Sequence, residues 1–209
     1  DSIKDAQGKY VAVLDGDDYW VDKHKLQKQL DLLENHPEYA ACFTDTLVKN
    51  EADRSLTEAG ALKAKHKRNI SLDNLANGGI WIPTSTFMYR NKLLVKPLPV
   101  IYQNIQMVDI FLFYLMLDQG RLAYIDEITA VYRKHNAGEW SGLDQIKKFD
   151  FRIHNQKQMA IHFKHHQVLG NWFKKNVSSQ KKLKRKFKVK QLLSSTLKCN
   201  TLVFKFFNW

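Results

Sequence analysis

The chain has 209 residues, 44% of them hydrophobic and 12% aromatic, and this composition excludes intrinsic disorder as the default. Its 33 Lys and Arg outnumber its 21 Asp and Glu, which gives a net charge of +12. All 21 acids lie within residues 1–150, whereas residues 151–209 contain 14 basic residues and no acid. The sequence therefore predicts a nearly neutral body over residues 1–143 and a helical, strongly basic extension over residues 144–209.

Cysteine content and hydropathy exclude two further classes. Cys42 and Cys199 lie far apart, which favours neither a disulfide framework nor a cysteine metal site and fits a reducing compartment. The longest apolar run, Ile110–Leu117, is far shorter than the roughly 18–20 residues that span a bilayer. We therefore do not expect the chain to cross a membrane by itself.

The first elements have the pattern of an α/β fold. The apolar run at residues 10–14 predicts a strand buried on both faces of a parallel sheet. After Asp22 the spacing of apolar residues predicts an amphipathic helix that stops at Pro37, and Tyr39–Leu47 predicts the next strand. Together they form a βαβ unit. The apolar face of the predicted helix consists of Leu26, Leu30 and Leu33.

The middle of the chain contains a loop, a short helix, a strand and a buried helix. Residues 49–68 are polar and rich in lysine, which predicts a mobile loop, and Ser71 is a candidate N-cap for a helix that ends at Asn77-Gly78-Gly79. Phe87–Arg90 predicts a strand. Asp109 begins a segment that is apolar on all sides, which predicts a buried helix closed by Gly120.

The last part of the body returns to strands before the helical extension. Leu122–Ile125 and Ile128–Tyr132 predict two strands, followed by a polar loop over residues 135–142. From Asp144 the apolar spacing predicts a long helix.

The first candidate site is the sequence Asp15-Gly16-Asp17-Asp18, directly after a buried strand. Its carboxylates can hold a hard divalent cation such as Mg²⁺ or Mn²⁺, which prefers oxygen ligands and often shares them with a diphosphate. The alternative is a solvated turn, because Asp-Gly is a common turn pair.

Two further candidates follow. Asp109 could be a general base, or it could be an N-cap that satisfies free backbone N–H groups. Arg133 and His135, two residues apart, could face one ligand, with Arg suited to phosphate oxygens and neutral His suited to a metal. Trp140 could stack on a sugar. Each of these three also has an ordinary structural explanation, as a surface cation, a loop histidine or a half-buried aromatic residue.

Taken together, these segments resemble the family 2 glycosyltransferases, which have the GT-A fold, a mixed Rossmann-like sheet flanked by helices. The resemblance covers about residues 6–142 and is carried by AQGKYVAVLDGDDYWVDKHKLQKQLDLLENHPE, PTSTFMYRNKLL and VDIFLFYLMLDQGRLAYIDEITAVYRKHNAGEWSG. It implies transfer of a sugar from a nucleotide diphosphate donor, most simply a UDP-sugar, to a hydroxyl of a saccharide or lipid-linked acceptor. The implied setting is the synthesis of bacterial cell-surface polysaccharide or glycolipid.

The resemblance also implies roles for single residues. Asp15 and Asp17 fall in the metal-binding DxD motif, with Asp17 the direct ligand of Mg²⁺ or Mn²⁺ and Asp15 near the donor ribose or the metal. Asp109 falls at the position of the catalytic base of an inverting transfer, although Val108 stands where the family often has Glu or Gly. The remaining donor-side residues are Asp18 beside the motif, Arg133 and His135 at the diphosphate or metal, and Trp140 and Ser141 in the covering loop.

Family members carry a nucleotide-binding half before the DxD strand, whereas nine residues precede Tyr10 here, and the first is not Met. We therefore expect the sequence to be the C-terminal part of a longer enzyme. A fragment of that kind could fold poorly or lack activity by itself.

The basic extension has three interpretations. A peripheral site on the anionic inner face of the cell membrane, with the protein cytoplasmic, ranks above a solvated tail and above nucleic-acid binding. The residues expected at the membrane surface are Lys181, Lys182, Lys184, Arg185, Lys186, Lys188 and Lys190.

Two rival functions remain. A haloacid-dehalogenase-like phosphatase also opens with a strand and DxD, but Tyr19 stands where that class usually has Thr or Val. A non-catalytic basic module that binds membranes or nucleic acid would leave the block from Asp109 to Gly142 unexplained.

Overall fold

The computed structural model describes residues 2–59, 69–72, 82–94, 96–138 and 140–206, with no side-chain description for Ser2 or after Ser194. The chain divides into two compact units, Asp1–Leu143 and Asp144–Trp209. Within the described ranges, no helix is both long and apolar enough to cross a membrane.

Seven strands in the described part of unit 1 form one mixed sheet. The strands along its main path are β1 (Tyr10–Ala12), β6 (Met88–Arg90), β3 (Tyr39–Asn50), β7 (Arg121–Lys134) and β2 (Tyr19–Trp20), in that order across the sheet. The pair β3 and β7 is parallel, and the other neighbours are antiparallel. Two shorter strands, β4 (Leu56–Glu58) and β5 (Asn69–Ile70), pair with β3 and β7.

Three helices belong to the described part of unit 1. They are α1 (Ser2–Asp5), α2 (Lys25–Asn35) and α3 (Val108–Gln119). Leu33 of α2 packs on Cys42 and Met88, whereas Phe113 of α3 contacts Phe87, with ring centroids 6.2 Å apart. Because neighbouring residues of a strand point to opposite faces, the two helices cover opposite sides of the sheet. The α/β class with flanking helices is therefore confirmed.

The strand, helix and strand of the predicted βαβ unit follow each other along the chain as expected, but the two strands are not neighbours in the sheet. β1 and β3 run parallel, yet β6 lies between them and is antiparallel to both. The prediction that the first strand is buried on both faces of a parallel sheet is wrong, because β1 is half-buried and its described partner is antiparallel β6. A short apolar run does not reveal the direction of its neighbour.

The buried face of α2 differs from the predicted leucine face. Leu33 is fully buried, but Leu26 is 42% exposed, and the other buried positions of the helix are Lys25 and Gln29. The Lys25 ammonium donates to Gln29 Oε1 at 2.6 Å and lies 4.6 Å from the Trp20 ring centroid. A buried cation is tolerated here because it has both a hydrogen bond and an aromatic face.

Several loops and strands also differ from expectation. Part of the predicted mobile loop is ordered, because β3 continues to Asn50 and pairs with β4, while residues 60–68 lie outside the described residues. The two predicted strands after Gly120 form one long strand, β7, with irregular register against β3. The predicted helix after Ser71 lies almost wholly outside the described residues, whereas the strand near Phe87 and the buried helix α3, capped by Gly120, are confirmed.

Unit 2 is helical. Its helices are α4 (Gln145–His162) and α5 (Gln167–Phe206), joined by a 3₁₀ turn at Phe163–His165. The Asp144 side chain accepts a hydrogen bond from Lys147 N at 2.8 Å, which caps α4 as its position suggests. Phe149 contacts Phe187 and Phe163 contacts Phe173, so the two helices run antiparallel.

Candidate active site

The acidic sequence forms a tight turn between β1 and β2. The backbone N–H of Asp18 donates to the carbonyl of Asp15 at 3.1 Å, and nothing lies within 4 Å of the position that a Cβ on Gly16 would occupy. The chain then enters β2, which pairs with β7. This pairing brings the turn to the end of β7, more than 110 residues later.

Two carboxylates of the turn bind the end of β7. Asp17 Oδ2 lies 2.9 Å from His135 Nε2, and Asp18 Oδ1 accepts the backbone N–H of Arg133 at 2.9 Å. The Arg133 guanidinium also donates through Nη1 to the carbonyl of Asp17 at 3.3 Å. The predicted donor-side residues Asp17, Asp18, Arg133 and His135 are therefore neighbours in the folded protein.

Asp15, the third acid of the turn, interacts with Asp109 and Thr84, which belong to a different part of the chain. Asp109, in the first turn of α3, accepts a hydrogen bond from Thr84 Oγ1 at 3.0 Å. Asp15 thus connects the acidic turn to the predicted base.

Burial, together with repulsion between neighbouring carboxylates, raises the pKa values of Asp15 and Asp18. Loss of hydration raises the pKa of Asp15 to about 6, and repulsion by Asp109 and then by Asp18 and Asp17 adds to this, while the Thr84 hydroxyl opposes it. Loss of hydration also raises the pKa of Asp18, against the hydrogen bond from Arg133. Clustered acids with raised pKa values are typical of sites that bind cations or perform proton transfer.

The prediction that Asp109 could be the N-cap of its helix is wrong. The N-cap of α3 is Met107, without a side-chain capping bond, and Asp109 lies two residues further into the helix. Its carboxylate is oriented by Thr84 from another segment. An acid in the first turn of a helix is also favoured by the helix dipole.

Thr84 and Glu51 were not among the site residues predicted from the sequence. Thr84 lies in a 3₁₀ turn, Thr84–Thr86, and Glu51 follows β3 directly. Glu51 Oε1 accepts from Arg133 Nε at 2.8 Å and from Lys49 Nζ at 3.2 Å, and these cations lower the pKa of Glu51. The parallel register of Lys49 with Arg133 is what brings Glu51 to the arginine.

The loop after His135 folds back over its own backbone. Ser141 Oγ donates to the His135 carbonyl, and the backbone N–H of Gly142 donates to the carbonyl of Gly138 at 2.8 Å. A Cβ on Gly142 would lie 2.4 Å from the carbonyl oxygen of Asn136, so only glycine fits there.

Trp140 is half-buried in this loop. A pocket of about 200 Å³ lies beside it, lined by Asn50, Glu51, Ala52, Lys134, His135, Asn136 and Ser141.

Asp17 and His135 carry the oxygen and nitrogen atoms that divalent metals bind, and these two atoms are 2.9 Å apart in a hydrogen bond. The described residues contain no group of three or more His, Cys, Asp or Glu side chains arranged for a metal. Mg²⁺ commonly binds one or two carboxylates together with substrate phosphates. The described side chains do not complete a metal site by themselves, so a metal at Asp17 would need further ligands such as substrate phosphates.

The described part of unit 1 therefore combines a mixed α/β sheet with an acidic turn whose Asp15 interacts with Asp109. Residues 2–96 match the profile of "Glycosyl transferase family 2". This segment, which includes the acidic turn and strands β1 to β6, is similar to glycosyl transferase family 2, and the mixed sheet is consistent with a GT-A type fold.

Several curated proteins are similar to this chain, and the name of one of them describes a glycosyltransferase. The chain is 33% identical over 156 residues to uncharacterized proteins of Mycobacterium bovis and Mycobacterium tuberculosis, covering 74% of this chain and 43% of theirs. It is 27% identical over 135 residues to an uncharacterized glycosyltransferase of Nostoc sp., covering 63% of this chain and 41% of that protein. The chain thus spans less than half the length of these curated relatives.

Proposed function

We propose that the protein is a metal-dependent, inverting glycosyltransferase that moves a sugar from a nucleotide diphosphate donor to an acceptor hydroxyl. The single observation that carries this proposal is the position of Asp109. Its carboxylate is fixed by Thr84 and interacts with Asp15 of the acidic turn, so a base and a cation-binding group flank one site.

The donor side of the proposed site consists of the acidic turn and the end of β7. Asp17 and His135 would hold Mg²⁺ or Mn²⁺, which when bound acts as a Lewis acid on the diphosphate oxygens. Arg133 adds a fixed cation, and its bonds to Glu51 and to the Asp17 carbonyl hold the guanidinium beside the turn. A planar guanidinium suits phosphate oxygens.

The acceptor side would use Asp109. One oxygen, Oδ2, is occupied by the Thr84 hydroxyl, so Oδ1 takes the proton from the acceptor hydroxyl. The acceptor oxygen then forms the bond to the anomeric carbon while the bond from that carbon to the diphosphate oxygen breaks. Negative charge leaves with the nucleotide diphosphate, where Arg133 stabilises it.

Substrate and location follow as parts of the proposal. A UDP-sugar is the proposed donor, with a lipid-linked saccharide in bacterial cell-surface polysaccharide or glycolipid synthesis as acceptor. Such an acceptor favours a cytoplasmic protein held at the inner face of the cell membrane. Trp140 and Ser141, in the loop next to His135, are the proposed cover over the donor.

The experiment is nucleotide release by the full chain from a panel of nucleotide sugars with Mn²⁺. We expect release of nucleoside diphosphate, its loss in Asp17→Asn, and normal release in Asp31→Asn, a matched exposed carboxylate on α2. Phosphate release from a generic phosphomonoester, without nucleotide release, would instead support the phosphatase alternative. Unchanged turnover in Asp17→Asn would refute the role of the acidic turn.

A further inference from the structure

One face of helix α5, which we call the inner face, is covered by other residues of unit 2. Phe173, Gln180, Lys184 and Phe187, at spacings of seven, four and three, lie on one side of the helix. Phe173 packs on Phe163, Phe187 contacts Phe149, and Lys184 Nζ pairs with Asp150. The inner face is therefore the side that α4 covers.

A second row of residues repeats this spacing two positions later. We call Lys175, Lys182, Lys186, Val189 and Leu193 the outer stripe; its spacings are seven, four, three and four. Two positions correspond to about 200° around an α-helix, so the outer stripe lies opposite the inner face. All five residues are exposed, with Val189 at 50% and Leu193 at 61%.

Acidic residues do not balance this stripe. The sequence of unit 2 contains two acids, Asp144 and Asp150. Asp144 lies 3.7 Å from Lys147 Nζ, and Asp150 pairs with Lys184 on the inner face. Lys184 therefore neutralises an acid of its own unit, whereas the cations of the outer stripe face outward.

Charge and hydropathy change along the stripe in a way that distinguishes between anionic partners. Three lysines are followed by Val189 and Leu193, and the sequence continues to the apolar segment LVFKFFNW at residues 202–209. Nucleic-acid phosphates need the cations but offer nothing to exposed aliphatic side chains. A lipid surface binds both, because headgroups attract the lysines and the acyl boundary accepts the apolar groups.

We propose that the outer stripe of α5 is a docking surface for an anionic lipid bilayer. From Lys175 to Leu193 it extends about 27 Å along the helix, at ~1.5 Å per residue, so the helix lies flat with the lysines among headgroups. Lys184, on the opposite side, takes no part. This inference stands independently of the transferase activity, since it depends on unit 2 alone.

The test is sedimentation of the full chain with vesicles of phosphatidylcholine alone and of phosphatidylcholine with phosphatidylglycerol. The test variant is Lys175→Gln/Lys182→Gln/Lys186→Gln. The matched control, Lys174→Gln/Lys181→Gln/Lys188→Gln, removes the same charge from exposed positions on the flank of the same helix. Circular dichroism is used to check that both variants keep their helices.

We expect binding to the anionic vesicles only, and weaker binding at high salt. Loss of three stripe lysines should weaken binding roughly 100-fold, at about fivefold per lysine, and the flank triple should weaken it less than about tenfold. Val189→Ser/Leu193→Ser should weaken binding about tenfold at every salt concentration. Equal losses in the two triples, no binding to anionic vesicles, or a stronger affinity for RNA than for vesicles would each overturn the proposal.

Discussion

The charges of unit 1 and of unit 2 are organised in opposite ways. In unit 1, Asp17 and His135 meet across 118 residues of sequence, and Asp18 reaches the backbone of Arg133 across 115. In unit 2, the cations of the outer stripe project from one helix and are related by helical spacing. The first arrangement depends on the whole sheet, whereas the second depends on local periodicity alone.

The two units should therefore respond differently to mutation. A side chain held by distant partners changes the geometry of its neighbours when it is removed, so effects are large and local to the site. Exposed side chains on a helix act as separate charges, so their effects are small and add up.

The largest effect should come from Asp109→Asn. The amide keeps the shape and can still accept from Thr84, but it cannot take a proton from an acceptor hydroxyl. We expect transfer to fall about 1000-fold, within the range usual for a general base, with nucleotide binding unchanged. Transfer kinetics and nucleotide binding are measured side by side.

Asp118→Asn, a change at an acid near the other end of α3, is the control for this variant and should leave transfer unchanged. If Asp109→Asn instead lowered only the melting temperature, Asp109 would be a structural residue.

A large effect on stability should come from Lys25→Met in unit 1. Burial lowers the pKa of Lys25 to about 8, so between about pH 8 and pH 10.5 the unfolded chain binds more protons than the folded protein. The stability of the wild type should therefore rise with pH over that window, and it should rise relative to Lys25→Met by roughly 2–3 kcal/mol. Urea unfolding at pH 7 and pH 10 measures this.

Lys23→Met, at an exposed position two residues earlier, is the matched control and should show no such dependence. A constant difference between wild type and Lys25→Met at both pH values would mean that Lys25 is not a buried cation.

A smaller effect is expected from Thr84→Val, which removes the hydroxyl that orients Asp109. Loss of this charge-assisted hydrogen bond should lower kcat about tenfold while leaving the donor KM near its normal value. Thr84→Ser keeps the hydroxyl and should restore most of kcat. Equal losses in the valine and serine variants would assign Thr84 a packing role only.

The smallest effect is expected in unit 2. Asp150 is exposed and pairs with Lys184, and surface pairs of this kind contribute about 0–1 kcal/mol. Asp150→Asn should therefore reduce the free energy of unfolding by less than about 1 kcal/mol. A loss of several kcal/mol in thermal unfolding would show that charges in unit 2 are as interdependent as those in unit 1.

Local patterns predicted much of the fold. The apolar segment after Asp109 gave a buried helix with its Gly120 cap, and Asp144 gave the start of α4. Strand direction was not predictable, because β6, which separates β1 from β3, comes from a segment about 40 residues later. A run of apolar residues carries no information about which partner will pair with it.

The sequence predicted most residues of the candidate site but few of the contacts between them. The acidic turn, Arg133 and His135 were selected because of their types and spacing, and the fold brings them together. Thr84 and Glu51 were missed because each contributes through one partner that is far away in sequence, Asp109 and Arg133. A hydroxyl run after Pro83 and an acid directly after a strand are weak signals, and neither is specific enough to select these residues.

In the proposed function, Asp17 together with His135 forms a site for a divalent cation and a nucleotide diphosphate. The most direct measurement is Mn²⁺ binding followed by electron paramagnetic resonance, with and without UDP, in the wild type, Asp17→Asn and the control Asp31→Asn. We expect UDP to strengthen Mn²⁺ binding to the wild type and to Asp31→Asn. Asp17→Asn should weaken Mn²⁺ binding at least about tenfold, as expected for loss of a charged ligand. Mn²⁺ binding to Asp17→Asn as tight as to the wild type would show that Asp17 does not hold the cation.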